Sequence, residues 1–297
     1  MTSYAIMQLA DRIEAAFFVI GGLILLIELA EACFKGAFKV RTIGEMVVSF
    51  STLIPLVLVE TFILTGAYAI YYILSYEFVT WTLPLTWWAL ALAFLVADFF
   101  YYWEHRIAHE VRLLWTQHAV HHSSRDLNIA TAFRFGPLEG LWALIAHLPM
   151  VFLGFSPEMI FFGMITVLAY QTWLHTETIG RLGVLEKVLN TPSHHRVHHG
   201  ADAKYLDRNY GGALIVWDRL FGTFQAEEET PRYGLARDFD SRNPVRVWFS
   251  ELPALVRDLR TARSPREAWH HLFGRPGPAP EKKGDAHVPK QVADGSS

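Results

Sequence analysis

The chain has 297 residues, 52% of them hydrophobic, with a formal net charge of −3 and a single cysteine, Cys33. This charge balance carries no electrostatic footprint for nucleic acid, and no nucleic-acid partner is expected. One cysteine rules out an intrachain disulfide framework and any multi-cysteine zinc site.

Apolar runs set the class. The first covers residues 15–33 and holds Glu28 and Glu31 near its end. Asp11, Arg12 and Glu14 precede it and no small-residue cleavage site is evident, so it reads as a retained anchor rather than a signal peptide. The second covers residues 47–74, with Glu60 its single charge. The third covers residues 83–100, bordered by Trp81, Trp87, Trp88 and the Tyr101-Tyr102-Trp103 triplet. Each approaches or exceeds the ~20 residues of a spanning helix. A fourth apolar region, 138–174, is too long for one span and is interrupted by GFSP at 154–157. It is predicted to be a hairpin of two helices that enters the membrane and returns. Residues 225–273 are polar, with a weak helical pattern around 247–259. From Gly274 onward Pro, Gly, Lys and Asp dominate, a composition that builds no core and predicts disorder.

The predicted architecture is an all-α integral membrane bundle of about three long spans plus a helical hairpin, capped by a histidine-rich di-metal site. The segments are 1–79 (N-terminal spans), 80–230 (catalytic domain), 231–273 (C-terminal cytoplasmic segment) and 274–297 (tail). Lys35, Lys39 and Arg41 follow the first span, whereas residues 75–82 (SYEFVTWT) carry no Lys or Arg. The positive-inside bias puts the first loop in the cytoplasm. The third span then delivers residues 98–122 to the cytoplasmic face, and the hairpin returns residues 175–224 to it.

Eleven of the 14 histidines lie between residues 105 and 199. His105 and His109 stand one helical turn apart. Two boxes of one design follow, HAVHH at His118, His121 and His122, and HRVHH at His195, His198 and His199. Within a box, all three rings converge on one side of a helix, and adjacent histidines can reach neighbouring metals. These eight suffice for two metal ions with open positions, and His175, at the end of the hairpin, is a ninth candidate. Neutral imidazole suits Zn, Cu, Fe and Ni. Structural zinc is four-coordinate and would leave half of these ligands unused. The HExxH zinc-protease pattern is absent, because residues 105–109 read HRIAH. An all-histidine dinuclear site favours iron handling O2.

Asp98, Glu110 and Asn209 are the candidate catalytic polar groups. Asp98 lies seven residues before His105 on the same stripe and is placed to orient His105 or His109. Glu110 is placed to accept a hydrogen bond from a ligand. Asp207, Asn209 and Tyr210 belong to a loop expected to cover the site. His194 is open between a supporting role and ligation. His147 reads as a structural histidine, and His270, His271 and His287 as solvated ones. A histidine-rich metal transporter or metal-binding protein is the rival reading, but transporters set their ligands near the bilayer midplane. A bis-histidine haem protein needs isolated histidines inside the spans, and only His147 qualifies.

The order HxxxH, HxxHH, HxxHH on a multi-span chain resembles the fatty acid hydroxylase/sterol desaturase superfamily. The resemblance runs over roughly residues 80–230 and rests on HAVHHSS (118–124), TPSHHRVHHG (191–200) and NYGGALIVWDRLFGTF (209–224). WLHTE (173–177) and the run 190–200 are most similar to the ether-lipid-cleaving branch, the alkylglycerol monooxygenases. The resemblance implies a membrane di-iron oxygenase that uses O2 to hydroxylate or desaturate a C–H bond of a sterol, fatty acyl or ether lipid. It carries His105, His109, His118, His121, His122, His195, His198 and His199 over as iron ligands, with His175 joining them. The chemistry consumes two external electrons. With no GxGxxG signature and no fused haem domain, it implies a separate electron-donor protein. Arg106, Arg112 and Arg125 are candidates to dock an acidic donor, with ordinary cytoplasmic-face charge as the favoured alternative.

Overall fold

The computed structural model describes residues 1–36 and 40–277. Lys39, His287 and residues 278–297 of the expected tail lie outside the described residues. Among the described residues the chain is helical, and its only β pairing is two isolated bridges, Leu189 with Leu214 and Gly200 with Tyr233.

The first two apolar runs become α1 (Ser3–Phe34) and α2 (Val40–Ile73), the latter ending in a π turn over Leu74–Phe78. Both are long and apolar enough to cross a membrane. Phe18, Leu23, Leu26, Ile54, Val57 and Phe62 on them point away from the protein. Side chains of that size and number need an apolar solvent, which lipid supplies.

The third run is different. It forms α3 (Trp87–Glu110), whose first half is apolar and whose second half carries Asp98, Glu104, His105 and His109. Among the described residues only α1 and α2 have the length and composition of a span. One continuous helix thus carries the chain from apolar surroundings into the histidine cluster.

The 138–174 region is a broken hairpin, as its GFSP interruption predicts. It consists of α5 (Glu139–His147), α6 (Pro149–Phe152) and α7 (Pro157–Gln171). Gly154 turns the chain at φ +83°, and a Cβ there would meet the Trp81 ring at 2.5 Å. Both facts require glycine. α7 packs on α3 and α1. The contact is close because Gly163 faces Ala93 and Ala97, and a Cβ on Gly163 would stand 2.7 Å from that of Ala97. Ile6, Ala10, Met150, Met159, Ile160 and Val167 fill the rest of this core.

At the other end of the bundle the chain breaks helix at Val111 and restarts as α4 (Arg112–His122). Val111 is extended, with φ −110° and ψ 114°. The break folds α4 back so that its histidines face those of α3. α8 (Pro192–His198) brings the second box to the same place, and α9 (Val216–Phe221) covers the flank of α3 through Trp217 and Phe221. The C-terminal helices α10 (Pro244–Trp248), α11 (Leu252–Thr261) and α12 (Pro265–Phe273) lie over α4 and the start of α2. The expected tail begins later than Gly274. The Gly274 carbonyl accepts from Arg112 N at 3.0 Å, and Arg275 pairs with Glu110 at 2.9 Å.

Candidate metal centre

The structure gathers all nine candidate histidines at one end of the bundle, each of them buried. They fall into two groups. His105, His109, His118, His122 and His198 form one, and His121, His175, His195 and His199 the other. Within each group the ligating nitrogens lie within 4.8 Å of one another. The two boxes cross over. The i,i+4 pair His118/His122 serves the first group while His121 serves the second. In α8 and its cap, His195/His199 serve the second while His198 serves the first. The groups touch, with the His122 and His199 rings stacked at 4.5 Å.

Proton positions follow from the acceptors. Nδ1 of His105 faces Tyr210 O at 2.9 Å, and Nδ1 of His121 faces Arg134 O at 3.1 Å. Nδ1 of His175 faces Gln171 O at 3.0 Å, and Nδ1 of His198 faces Arg208 O at 3.0 Å. Carbonyl oxygens only accept, so each Nδ1 carries the hydrogen and, in the neutral ring, each Nε2 is a bare lone pair. Nδ1 of His118 faces the Glu139 carboxylate at 2.5 Å. The lone pairs then point at one another. His105 Nε2 stands 3.0 Å from His118 Nε2, and His175 Nε2 stands 3.1 Å from His121 Nε2. His195, whose Nδ1 meets no acceptor, sets its Nε2 2.8 Å from His175 Nε2. The buried Nε2 atoms of His109 and His198 have no hydrogen-bond partner.

Lone pair facing lone pair is repulsive unless a cation lies between. Two nitrogens bound at ~2.1 Å and at right angles on one ion stand about 3.0 Å apart. The spacing therefore fits imidazoles sharing a metal. Burial, reinforced by neighbouring imidazoles, pulls His121 down to about 4 and His198 to about 3. The same causes hold His105, His109, His122, His175, His195 and His199 well below the ordinary imidazole range. These rings stay neutral, the form that binds metal.

Groups that the spacing of the sequence does not reveal support the cluster. Arg134 is fully buried, paired with Glu45 at 2.7 Å, and donates from Nε to Val120 O. It fixes the backbone whose carbonyl holds His121. Glu139 holds His118 and also accepts from Gly136 N at 3.1 Å. Its one signal in sequence is a lone carboxylate at the mouth of an apolar hairpin. Glu28, the acid that blurs the first span, accepts from Thr176 Oγ1 and Ile129 N, tying α1 to the loop that carries His175.

The candidate catalytic polar groups lie elsewhere. Asp98 does not touch a histidine. It is fully buried and accepts from Ala213 N, Leu214 N and Trp217 Nε1 at 2.6, 3.1 and 2.8 Å. It lies two turns before His105 on α3, where it meets the 213–217 segment instead of a histidine ring. Glu110 pairs with Arg106 and Arg275 instead of a ligand. Asn209 lies at φ 57° and bridges His194 O and Gln225 O, shaping the loop whose neighbouring carbonyls receive His105 and His198. That loop covers the cluster as expected, with Asp207 Oδ1 3.8 Å from His109 Nδ1. His194 joins neither group and packs on Phe224. His147 is structural, with both ring nitrogens against carbonyls of Ala143 and Ala97. His270 is exposed. The three arginines near the site pair within the chain: Arg106 with Glu110, Arg112 with Asp258 and Arg125 with Asp238.

Comparison with known proteins agrees with this geometry. The human (Homo sapiens) alkylglycerol monooxygenase is 46% identical over 172 residues, 58% of this chain and 38% of that protein. The Xenopus tropicalis alkylglycerol monooxygenase is 48% identical over 168 residues, 56% of this chain and 36% of that protein. The ornithine lipid hydroxylase of Rhizobium tropici is 35% identical over 137 residues, 46% of this chain and 41% of that protein. The match thus spans well under half the length of these relatives. No solved structure matches the chain. The fatty acid hydroxylase family model matches residues 90–223, a stretch that holds all nine clustered histidines, and over that stretch the chain is similar to the fatty acid hydroxylase family.

Proposed function

We propose that this protein is a membrane di-iron oxygenase that oxidises a C–H bond of a lipid, with an ether-linked lipid as the leading substrate class. The observation that carries the reading is the pair of adjacent all-imidazole groups whose bare Nε2 atoms converge at 2.8–3.1 Å at the end of an apolar bundle. The ether-lipid preference draws on the similarity to the alkylglycerol monooxygenases. His105, His109, His118, His122 and His198 would hold one iron, and His121, His175, His195 and His199 the other. Iron held there supplies the reduction of O2 and the oxidation of an unactivated C–H bond.

The chain's own residues do the rest. The carbonyls of Tyr210, Arg134, Gln171 and Arg208 and the Glu139 carboxylate fix ring tautomers and orientations. Burial excludes water from the oxidising site. Asp98, Glu110 and Asn209 position loops and helix ends. The overall balance is lipid C–H plus O2, two electrons and two protons, giving an alcohol and water. On a carbon bearing an ether oxygen, the alcohol is a hemiacetal that collapses to an aldehyde and a free hydroxyl. A separate donor protein delivers the electrons. Lys35 follows α1 and Arg41 opens α2, the helix ends whose Glu28 and Glu45 reach the segments that carry the histidines, so the positive-inside bias supports an active site on the cytoplasmic face.

The test is metal analysis of the purified protein together with O2 uptake in the presence of a reductant and alkylglycerol. Iron-dependent O2 uptake with aldehyde release is expected. Bound zinc alone, with no lipid oxidation after iron loading, overturns the reading.

A further inference from the structure

A second site lies outside the metal centre, where the loop after His175 meets α9. A cavity of about 210 Å³ is lined by Arg181, Lys187, Ser193, His194, Arg219 and Phe224. The carboxylates in its wall are already satisfied. Glu227 is clamped by the Arg196 guanidinium at 2.6 and 2.7 Å, and Glu186 accepts from Leu182 N and Thr191 Oγ1. The cations are not. Arg219 spends one donor on Glu186 O and lies over the Phe224 ring, and Arg181 spends one on Glu227 O. Each guanidinium has further N–H donors for an anion. Lys187 is exposed at the rim.

The rim is also apolar. Val184, Leu185, Val188 and Leu220 are 72%, 50%, 51% and 68% exposed. They form one surface, because Ile215 N donates to Val188 O and Leu189 bridges to Leu214. Phe17, at the start of the apolar run of α1, packs on Tyr170, whose hydroxyl donates to Asn190 O at 2.8 Å. The 183–190 segment therefore lies beside a helix long and apolar enough to cross a membrane.

Exposed aliphatic side chains beside that helix, with three cations around a small hollow next to them, match a lipid with an anionic headgroup. We propose that this cavity binds the phosphate of an anionic glycerophospholipid, with the Gly183–Lys187 turn and Leu220 lying against its acyl chains. The volume suits a phosphate with a short substituent and is below the ~300 Å³ typical of sites for larger organic ligands. The site rests on the membrane reading of the chain and is independent of its oxygenase activity.

The test uses full-length, metal-loaded protein in uncharged detergent and measures binding of dihexanoyl phosphatidic acid, dihexanoylglycerol and inorganic phosphate. The short-chain phosphatidic acid should bind, and the Lys187→Gln/Arg219→Gln variant should weaken it about tenfold or more with metal content unchanged. Lys187→Gln alone, an exposed change that leaves folding intact, should weaken it in the same direction, and Lys187→Arg should restore it. Val184→Ser/Leu185→Ser should weaken the lipid but not inorganic phosphate. Undiminished binding in the double-charge variant overturns the site. Equal affinity for inorganic phosphate overturns the lipid as its ligand, and equal affinity for dihexanoylglycerol overturns the role of the phosphate. Loss of oxygenase activity with binding intact leaves this inference standing.

Discussion

Glu139→Gln probes the centre where its two halves differ most. Glu139 is the carboxylate hydrogen-bonded to a clustered histidine, at 2.5 Å from His118 Nδ1, whereas four of the other rings donate to backbone carbonyls. A charge-assisted bond of this kind contributes roughly 1.5–3 kcal/mol against about 1 kcal/mol for a neutral one. Glutamine keeps an acceptor in place but removes the charge, so the difference of about 1–2 kcal/mol falls on the metal bound by His118. Affinity at the five-histidine group should drop about tenfold, within the range that supporting residues of metal sites show. Its reduction potential should rise, since a less electron-rich imidazole stabilises the oxidised metal less. Chelator competition followed by metal analysis reads the affinity, and redox titration of the metal spectrum reads the potential. A Glu139→Gln protein with wild-type affinity and potential at both groups would refute the reasoning. Glu139→Ala also removes the acceptor of Gly136 N and should cost more than Glu139→Gln.

Three further outcomes follow from the same geometry. His121→Ala takes a ligand from the four-histidine group and His122→Ala takes one from the five-histidine group, so metal content should fall to about one per chain in the first and stay near two in the second. Equal losses in metal analysis would show that the groups are not separate. The clustered histidines bind protons less readily folded than unfolded, so stability of the metal-free protein is full above about pH 6.5 and declines as pH falls toward about 4 for His121 and about 3 for His198. Melting temperatures between pH 7.5 and 4.5 should decline, and a flat profile is the contrary result. Asp98→Asn turns an amide donor toward N–H groups and should destabilise the fold by about 2 kcal/mol while leaving metal content intact. Metal loss at unchanged stability would restore Asp98 to the histidines.

Periodicity carried much of this structure. The spacing of the two boxes dictates which rings share a helical face, and the structure divides adjacent histidines between two groups as that spacing allows. The GFSP interruption marks the hairpin turn because Pro157 starts a helix well and Gly154 takes a positive φ. Supporting groups were harder to see. Asp98 shares the i,i+7 stripe of His105, yet two turns, about 10 Å of helix, separate them, so Asp98 meets Ala213 and Trp217 farther along the segment whose Tyr210 carbonyl receives His105. Glu139 and Arg134 reach the cluster through tertiary folding of the segment after α4, and no local period encodes that approach. The third apolar run showed its hydrophobicity but not its length in the membrane, because α3 continues without a break into the polar cluster.

The crossing of the boxes explains why neither could work alone. On one helix, His122 and His121 lie about 40° and 60° to opposite sides of His118, so the two adjacent rings stand about 100° apart on one face. A single HxxHH box can therefore send its adjacent rings to different centres. A second box of the same design, facing the first, supplies the mirror arrangement: His198 completes the group of His118 and His122, and His121 completes that of His195 and His199. His105 and His109 from α3 then raise one group to five ligands, while His175 from the hairpin raises the other to four. The asymmetry is built in, since α3 offers a helical pair and the hairpin end a single ring. It is sharpened by Glu139 on the five-ligand side and by the Arg134 carbonyl on the other. With fewer rings and no carboxylate bond to one of them, the four-histidine group would leave an iron held there more open positions than the five-histidine group, the arrangement that the proposed O2 chemistry calls for.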